Sequence, residues 1–216
     1  MYFYEIKRAY FLNGPAKNLS YKDAFYRNLC LTVPMIAPDT INTVIVIEVN
    51  KKLSETPGYF ISPDQGISRL LAFDATQAGK GFSYGDGKTD RYYVEGWKKK
   101  EQALYWKLLT AKKVDDKTVK DIKYKVVLKY LAPQETSGGF YTIELDLLDK
   151  RGYVRKYRTD NKVSTNKSAT TVITREAGTI SMLSGQQYQL VIQPVAIEKE
   201  ELMKLLEVQL ILIDNK

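Results

Sequence analysis

The residues with the most obvious binding chemistry are lysines that lie next to tryptophans and tyrosines. Ammonium groups bind phosphate oxygens, and exposed aromatic rings stack on nucleobases. Aromatic side chains of these types are also favoured anchors of buried protein interfaces. The candidate phosphate-backbone contacts are Lys98, Lys99, Lys100, Lys107, Lys112 and Lys113, and the candidate interface residues are Trp97, Tyr105 and Trp106.

These lysines also carry most of the excess positive charge. The segment Lys98 to Lys129 contains 11 lysines and 4 acidic residues, a difference of +7, and the whole chain has a net charge of +8. Lysine is, however, an ordinary residue for a solvent-facing position, and tryptophan is an ordinary core residue. The stretch therefore supports two interpretations, a nucleic-acid contact or a solvated face above a packed core.

Other familiar chemistry is excluded by what the chain lacks. It has no histidine, which removes histidine-dependent nucleophiles and ordinary zinc sites, and Cys30 is its only cysteine. The glycine-rich stretch 79–90 fails as a phosphate-binding loop, because Phe82 stands where the motif needs glycine. Glu198, Glu200 and Glu201 match the acidic start of a helix better than a metal site. We therefore assign no catalytic, cofactor-binding or metal-ligating residue, and expect no cofactor.

The lysine stretch is predicted to be an amphipathic helix over residues 95–113. Trp97, Leu104, Leu108 and Ala111 form one apolar stripe at helical spacing, flanked by Tyr105. The lysines lie outside that stripe. Shorter helices are predicted at 20–30, 64–73 and 198–206.

A β-hairpin is predicted around the turn Asp149 to Gly152. A three-residue loop there places Asp149 opposite Tyr153 and gives a set of cross-strand pairs. One face of this hairpin is predicted to enter the core and the other to be solvated. The predicted pairs are Leu148/Val154, Leu147/Arg155, Asp146/Lys156, Leu145/Tyr157 and Glu144/Arg158. The predicted core face carries Ile143, Leu145, Leu147, Tyr153 and Tyr157, and the predicted solvated face carries Glu144, Asp146, Lys156 and Arg158.

A third strand precedes the hairpin, because apolar and polar residues alternate from Ile122 to Tyr130. If the three strands form an antiparallel meander, Glu144 and Asp146 lie between two basic rows that include Lys125. Cross-strand pairing then neutralises much of the lysine charge within the sheet. Further strands are predicted at 2–6, 43–49, 171–175, 187–193 and 208–213, and the apolar character of 43–49 on both faces indicates a central strand covered on two sides.

These elements predict a β-dominated α+β fold, with an antiparallel, sandwich-like meander in the second half and two to four short helices mostly in the first. The predicted domains are a mixed α/β region, 1–114, and an antiparallel β region, 115–216; one single domain over 1–216 is the alternative. No apolar run reaches the roughly 20 residues of a membrane helix, and the start lacks a secretory signal. We expect no membrane contact and a location in the cytoplasm or in an assembled virus particle.

The functional prediction is a non-catalytic assembly protein, a β-rich subunit of a multisubunit complex such as a virus or phage head, connector or tail ring. It rests on 16 tyrosines, 2 tryptophans and the missing catalytic constellation. Expected partners are proteins, in a homo-oligomer or a larger hetero-assembly, with nonspecific nucleic-acid contact as an addition. The alternatives are a nucleic-acid-binding protein that uses the basic region Lys98 to Lys129, and an enzyme that relies on carboxylates, such as a carbohydrate-active β-sandwich.

Overall fold

Strands account for nearly all the regular structure in the described part of the chain. The computed structural model describes residues 6–12, 18–24, 28–39, 41–49, 58–88, 92–111 and 121–213. Within these ranges the helical segments are two 3-10 turns of three residues each, Pro63–Gln65 and Ala72–Asp74. The predicted α+β class is therefore wrong, and the protein is a β-sandwich. No helix in the described part of the chain is long and apolar enough to cross a bilayer.

The chain forms two compact units, and the smaller one comprises Met1–Thr56 with Lys113–Asp115. Its described strands form two antiparallel pairs, β1 with β4 and β2 with β3. Its small core contains Ala9, Phe11 and Leu19, with Leu31 packed against them. The strands are β1 Ile6–Phe11, β2 Tyr21–Ala24, β3 Asn28–Leu31 and β4 Ile45–Val49.

Two predictions fail in this smaller unit. The segment predicted as a helix from Ser20 to Cys30 contains strands β2 and β3. The predicted strand over 43–49 exists as β4, but it is not covered on two sides, because Ile45 and Ile47 remain 36% and 42% exposed. β-branched residues therefore identified the strand and overstated its burial.

The larger unit comprises Pro57–Lys112 with Asp116–Lys216, and it contains the two sheets of the sandwich. The first sheet has the strand order β13-β12-β15-β10-β5, and β7 also pairs with β10. All its pairings are antiparallel except the parallel contact of β5 with β10. Its strands are β5 Tyr59–Ile61, β7 Thr76–Ala78, β10 Ala103–Thr110, β12 Gly139–Asp149, β13 Gly152–Lys162 and β15 Gln187–Ile197.

The second sheet has the strand order β14-β11-β16-β9-β8, and β6 pairs with β16 beside β9. Its strands are β6 Ile67–Leu71, β8 Ser83–Tyr84, β9 Val94–Glu95, β11 Asp121–Leu131, β14 Ile173–Leu183 and β16 Lys204–Leu212. The short strands β5 to β9 thus gather at one edge of the sandwich, and the long strands β13 and β14 form the other.

The core lies between the two sheets and is built from alternate residues of each strand. Leu104, Trp106 and Leu108 of β10 belong to the same buried cluster as Val126 and Leu128 of β11. The period of two predicted for 122–130 is confirmed, since Tyr124, Val126, Leu128 and Tyr130 are all buried.

The hairpin β12–β13 is confirmed, but its turn has two residues instead of three. Asp149 pairs with Gly152, which shifts the register by one, so Tyr153 lies opposite Leu148 and is 43% exposed. A bulge at Lys156 then restores the predicted pairs Leu145/Tyr157 and Glu144/Arg158. The predicted pairs between the turn and the bulge are therefore wrong, and Tyr153 is not a core residue.

The predicted three-strand meander is wrong, because β11 belongs to the second sheet and β12 to the first. Glu144 and Asp146 do not lie on a wet face: both are buried, and Arg155 contacts each of them at 2.5 Å. Lys125 and Lys129 pair instead with Glu176 and Glu207 of the second sheet, at 3.0 and 3.1 Å. Neutralisation within the fold is real: the predicted pair Glu144/Arg158 is an ion pair at 3.5 Å, and the other pairs have different partners from those predicted.

The remaining predicted helices also fail. The lysine stretch 95–113 contains strand β9, a turn and strand β10. Residues 64–73 form β6 between two 3-10 turns, and 198–206 form a loop that leads into β16. The predicted domain boundary between 114 and 115 stays a prediction.

Candidate functional site

An exposed group of aromatic rings lies at the edge of the sandwich formed by the short strands. The centroid of the Phe73 ring is 4.9 Å from that of Tyr84 and 6.0 Å from that of Tyr92. Tyr84 and Tyr92 are 49% and 55% exposed, while Phe73 is half-buried. We call Phe73, Tyr84 and Tyr92 the aromatic platform.

The platform is positioned by a chain crossing and a short ribbon. Phe73 lies in the 3-10 turn that carries the chain from β6 in the second sheet to β7 in the first. Tyr84 belongs to β8, which pairs with β9, and the ribbon is closed where the Gly85 amide donates to the Tyr93 carbonyl at 3.0 Å. Tyr92 directly precedes Tyr93 in the chain, and its ring contacts that of Phe73.

Polar side chains surround the platform. The Gln77 Nε2 group donates to the Tyr84 hydroxyl at 2.6 Å, which fixes both the amide and the ring. The Tyr59 hydroxyl donates to the Asp74 carboxylate at 2.7 Å and accepts from the Leu71 amide at 3.2 Å. Burial, together with the Asp74 carboxylate, raises the pKa of Tyr59 to about 12, so this hydroxyl stays a donor at neutral pH. The platform thus offers apolar faces beside an amide and an exposed carboxylate.

A buried glutamine organises the loops at the other end of the β8–β9 ribbon. Gln102 is completely buried, and its Oε1 atom accepts from the Lys98 and Lys99 amides at 2.6 and 2.7 Å. Its Nε2 group donates to the Gly96 and Lys80 carbonyls at 2.8 and 3.2 Å. One side chain therefore joins two loops, and we call the residues that it brings together, Lys80, Lys98, Lys99 and Lys100, the lysine turn.

The two loops approach each other so closely that glycine is required. Gly96 has φ of 85°, and a Cβ atom there would lie 2.3 Å from the Gly81 carbonyl oxygen. A side chain at this position would separate the loops that Gln102 joins.

A second charged group lies behind the ribbon, around Lys204. Its ammonium group is 2.6 Å from Glu95 and 3.8 Å from Glu201, and it lies 5.2 Å from the centre of the Tyr93 ring. Glu201 is buried and accepts from the Gly96 amide at 3.1 Å. Burial raises the pKa of Glu201, and the Gly96 amide and Lys204 oppose that shift without cancelling it. Because Lys204 bridges both carboxylates, they do not form a free acid pair.

The residues predicted as interface anchors have separate places. Trp97 and Trp106 are buried in the core, where their Nε1 groups donate to the Val94 and Leu71 carbonyls at 3.2 and 2.9 Å. Tyr105 is half-buried on the outer side of β10. The tryptophans thus match the core interpretation, and neither presents its ring on the surface of the larger unit.

The predicted phosphate contacts are only partly brought together. Lys98, Lys99 and Lys100 are exposed in the lysine turn, and Lys107 is exposed on β10. Lys112 and Lys113 lie outside the described residues. The described part of the chain holds no cluster of three or more acidic, histidine or cysteine side chains suited to a metal ion. The expected partners, nucleic-acid contact and location stay predictions.

The platform was not found from the sequence. Its three rings are up to 19 positions apart: Tyr84 lies in the glycine-rich stretch 79–90, and Phe73 and Tyr92 lie on either side of that stretch in the sequence. The signal available was the presence of aromatic residues inside polar, glycine-rich loops, where a core position is not expected.

No protein-family model matches the sequence, and no curated relative matches it. Solved structures with a similar sandwich include a family 35 carbohydrate-binding module from Clostridium thermocellum, with 11% identity and a TM-score of 0.44 over 67% of this chain and 98% of that one. Another is the CBM35 module from Cellvibrio japonicus Abf62, with 12% identity and a TM-score of 0.42 over 69% of this chain and 95% of that one. The Arthrobacter globiformis T6 isomalto-dextranase complexed with panose matches 94% of this chain with 34% of its own, at 13% identity and a TM-score of 0.48.

These comparisons overturn the prediction of a virus or phage assembly protein. The similar structures are carbohydrate-binding modules and carbohydrate-active enzymes. At such low identity the likeness concerns the fold alone, and any function for this chain has to be argued from its own residues.

Proposed function

We propose that this protein is a non-catalytic module that binds a saccharide at the aromatic platform. The observation that carries the proposal is the pair of exposed tyrosines, Tyr84 and Tyr92, held on either side of Phe73. Neighbouring exposed rings leave apolar surface in water, which is unfavourable unless a ligand covers it.

The chemistry around the rings favours a sugar over a purely apolar ligand. A pyranose presents weakly positive C–H groups on its faces and hydroxyl groups at its edges. The faces of aromatic rings carry negative electrostatic potential and attract such C–H groups. At the edge of the platform, the Asp74 carboxylate can accept hydrogen bonds from hydroxyl groups, and the Gln77 amide can both accept and donate them.

Catalysis is not part of the proposal, because the carboxyl groups around the β8–β9 ribbon and the platform already have partners. Glycoside hydrolysis uses two carboxyl groups that face the same bond from opposite sides. Glu95 and Glu201 are joined by Lys204, and Asp74 already accepts from Tyr59. These groups are arranged to hold the loops in place.

The test is affinity electrophoresis in gels that contain a soluble polysaccharide, with dextran, mannan, galactan and polygalacturonate as separate probes. We expect at least one polymer to retard the wild-type chain, and the Tyr84→Ala/Tyr92→Ala variant to lose at least tenfold in affinity for it. Tyr153→Ala is the matched control, because Tyr153 is also exposed, at 43%, but lies at the β12–β13 turn. Wild-type migration that none of the polymers alters, or equal retardation of the platform variant, would refute the proposal.

A further inference from the structure

We infer that the saccharide bound at the aromatic platform is polyanionic and that the lysine turn binds its acidic groups. This inference rests on the proposed function and adds the class of ligand. Its starting point is that Gln102 binds the main chain of three lysines of two different loops, that Gln193 binds that of Lys100, and that all four side chains are exposed.

The backbone of the lysine turn is held by hydrogen bonds that leave the ammonium groups uninvolved. Gln102 binds the amides of Lys98 and Lys99, and Gln193 Nε2 donates to the Lys100 carbonyl at 2.9 Å. Because both glutamine side chains bind main-chain atoms only, the four ammonium groups stay available to a ligand. A fixed backbone reduces the entropy lost when those side chains bind an anion.

In the described part of the chain, the ammonium groups of the lysine turn also make no ion pair with a carboxylate. Within the described ranges, none of these four lysines lies within 4.0 Å of a carboxylate oxygen. Several other cations of the larger unit are paired, Arg69 and Lys129 with Glu207 and Arg155 with Glu144, whereas the other exposed lysines without an ion pair, such as Lys123 and Lys150, lie on separate elements. The lysine turn therefore gathers four lysines of two loops that make no ion pair in the described part of the chain.

The lysine turn and the platform are close enough for one ligand to contact both. Lys80 precedes Tyr84 by four positions, and four residues span at most about 14 Å even when fully extended. The pairing of Ser83 with Glu95 and of Tyr84 with Val94 places Lys98 at the same end of the ribbon as Lys80. An oligosaccharide that covers the platform can thus extend along the ribbon to the lysines.

The distribution of charge favours an acidic glycan over a nucleic acid. A polynucleotide carries a phosphate at every residue, and proteins that bind single strands provide a basic groove alongside the stacking rings. Here the platform is bordered by Asp74 and Gln77, the lysine turn lies on one side of it, and Lys88, in the loop between the two tyrosines, is 3.9 Å from the Asp86 carboxylate. A polymer with neutral rings at the platform and acidic substituents farther along fits this arrangement.

The experiment compares two variants of equal charge in which four exposed lysines are replaced by glutamine. Binding is measured by isothermal titration calorimetry with polygalacturonate for carboxylates, dextran sulfate for sulfates, neutral dextran, and single-stranded oligothymidylate. The Tyr84→Ala/Tyr92→Ala variant is measured in parallel. The test variant changes Lys80, Lys98, Lys99 and Lys100, and the control variant changes Lys123, Lys150, Lys156 and Lys167, which are exposed elsewhere.

We expect the wild-type chain to bind one of the acidic polysaccharides at least tenfold more tightly than dextran at low ionic strength. The test variant should lose at least tenfold in that affinity and the control variant less than threefold, with the difference shrinking as salt screens charges beyond about 10 Å. Whichever acidic polymer binds more tightly identifies carboxylate or sulfate as the preferred group.

Three other results would overturn the inference, and they separate it from the proposed function. If dextran binds tightly and the lysine substitutions do not change its affinity, the protein has a saccharide site whose ligand is not anionic. Loss of acidic-polymer binding on lysine substitution but not on loss of the two tyrosines would remove the proposed function as well. Oligothymidylate binding as tight as that of the acidic glycans would identify a general polyanion surface.

Discussion

The larger unit contains two groups of lysines that the fold uses in opposite ways. On the outer face of the second sheet, Lys125 and Lys129 are paired with Glu176 and Glu207 at 3.0 and 3.1 Å. In the lysine turn, Lys98 and its neighbours have no carboxylate within salt-bridge distance in the described part of the chain. Residues 98–100 and 123–129 are both rich in lysine, and they differ in whether a carboxylate of another element lies close enough to pair with that lysine.

What separates the two groups is the kind of element that carries them. A strand inside a sheet places each residue opposite residues of two other strands, so a lysine can meet a glutamate far away in sequence. A turn at the end of a ribbon has no such row beside it. Net charge along a sequence therefore says little about surface charge until the pairing of strands is known.

The largest effect is expected from removing Gln102, the side chain that holds the lysine turn together. Gln102→Leu would leave two amides and two carbonyls without their buried partner. Because each unsatisfied buried polar group costs about 1–3 kcal/mol and some regain water, we expect a loss of about 3–5 kcal/mol in the free energy of unfolding. Urea denaturation measures this loss.

Gln193→Leu is the control for that substitution. Gln193 is half-buried and makes one hydrogen bond, to the Lys100 carbonyl. We expect a loss of about 1 kcal/mol. Equal effects of the two substitutions would show that Gln102 does not hold the two loops together.

A second prediction concerns the paired lysines and compares a buried acid with an exposed one. Glu207 is 3% exposed and accepts from Arg69, Lys129 and Gln209, whereas Glu176 is 54% exposed and contacts Lys125. Glu207→Gln should cost about 2 kcal/mol of unfolding free energy, and Glu176→Gln at most about 1 kcal/mol. If the two substitutions cost the same unfolding free energy, burial does not determine how much an ion pair on this sheet face contributes to stability.

A third prediction distinguishes Glu201, beside the lysine turn, from Glu207 by how the unfolding free energy depends on pH. Burial raises the pKa of Glu201 above its usual 4.5, so the folded state keeps a proton that the unfolded chain releases. The resulting stabilisation is present below about pH 4.5 and is lost as pH rises through the folded pKa. The unfolding free energy of wild type relative to Glu201→Gln should therefore fall between about pH 4.5 and neutrality.

Glu207 should show the reverse dependence. Burial alone would raise its pKa, but hydrogen bonds from Arg69, Lys129 and Gln209 outweigh burial and lower it. Its stabilisation is present above about pH 4.5 and is lost as pH falls through the folded pKa. Urea denaturation of wild type against Glu201→Gln from about pH 4.5 upward, and against Glu207→Gln from about pH 4.5 downward, measures the two slopes, and slopes of the same sign would contradict the structure.

The sequence predicted an element correctly where a single periodicity or a single turn motif determined it. Alternation from Ile122 to Tyr130 predicted β11 correctly, and the Asp149 to Gly152 turn predicted the hairpin. The register was missed between Gly152 and Lys156, because a two-residue turn followed by a bulge gives the same distant pairs as a three-residue turn without one. Sequence alone does not distinguish these two solutions.

The lysine stretch was misassigned because two periods coincide in it. Leu104 and Leu108 are four positions apart, which places them on one face of a helix and equally on one face of a strand. Trp106 distinguishes the two: a strand puts it on the buried face, where the structure has it, and a helix puts it on the opposite side. The platform could not be predicted at all, since it depends on how the crossing at Phe73 meets the ribbon at Tyr84.

The smallest expected effect is the change in stability when the lysine turn loses its charge. Its four lysines make no ion pair in the described part of the chain, so replacing all of them by glutamine should change the unfolding free energy by less than about 0.5 kcal/mol. The change should be a slight gain at low salt, since like charges repel and salt screens that repulsion. Replacing Lys125 and Lys129 instead should lose about 1 kcal/mol, because both acids lose a partner. Urea denaturation at two salt concentrations tests this, and a larger loss from the lysine turn than from the sheet would mean that its charges stabilise the fold instead of standing free for a ligand.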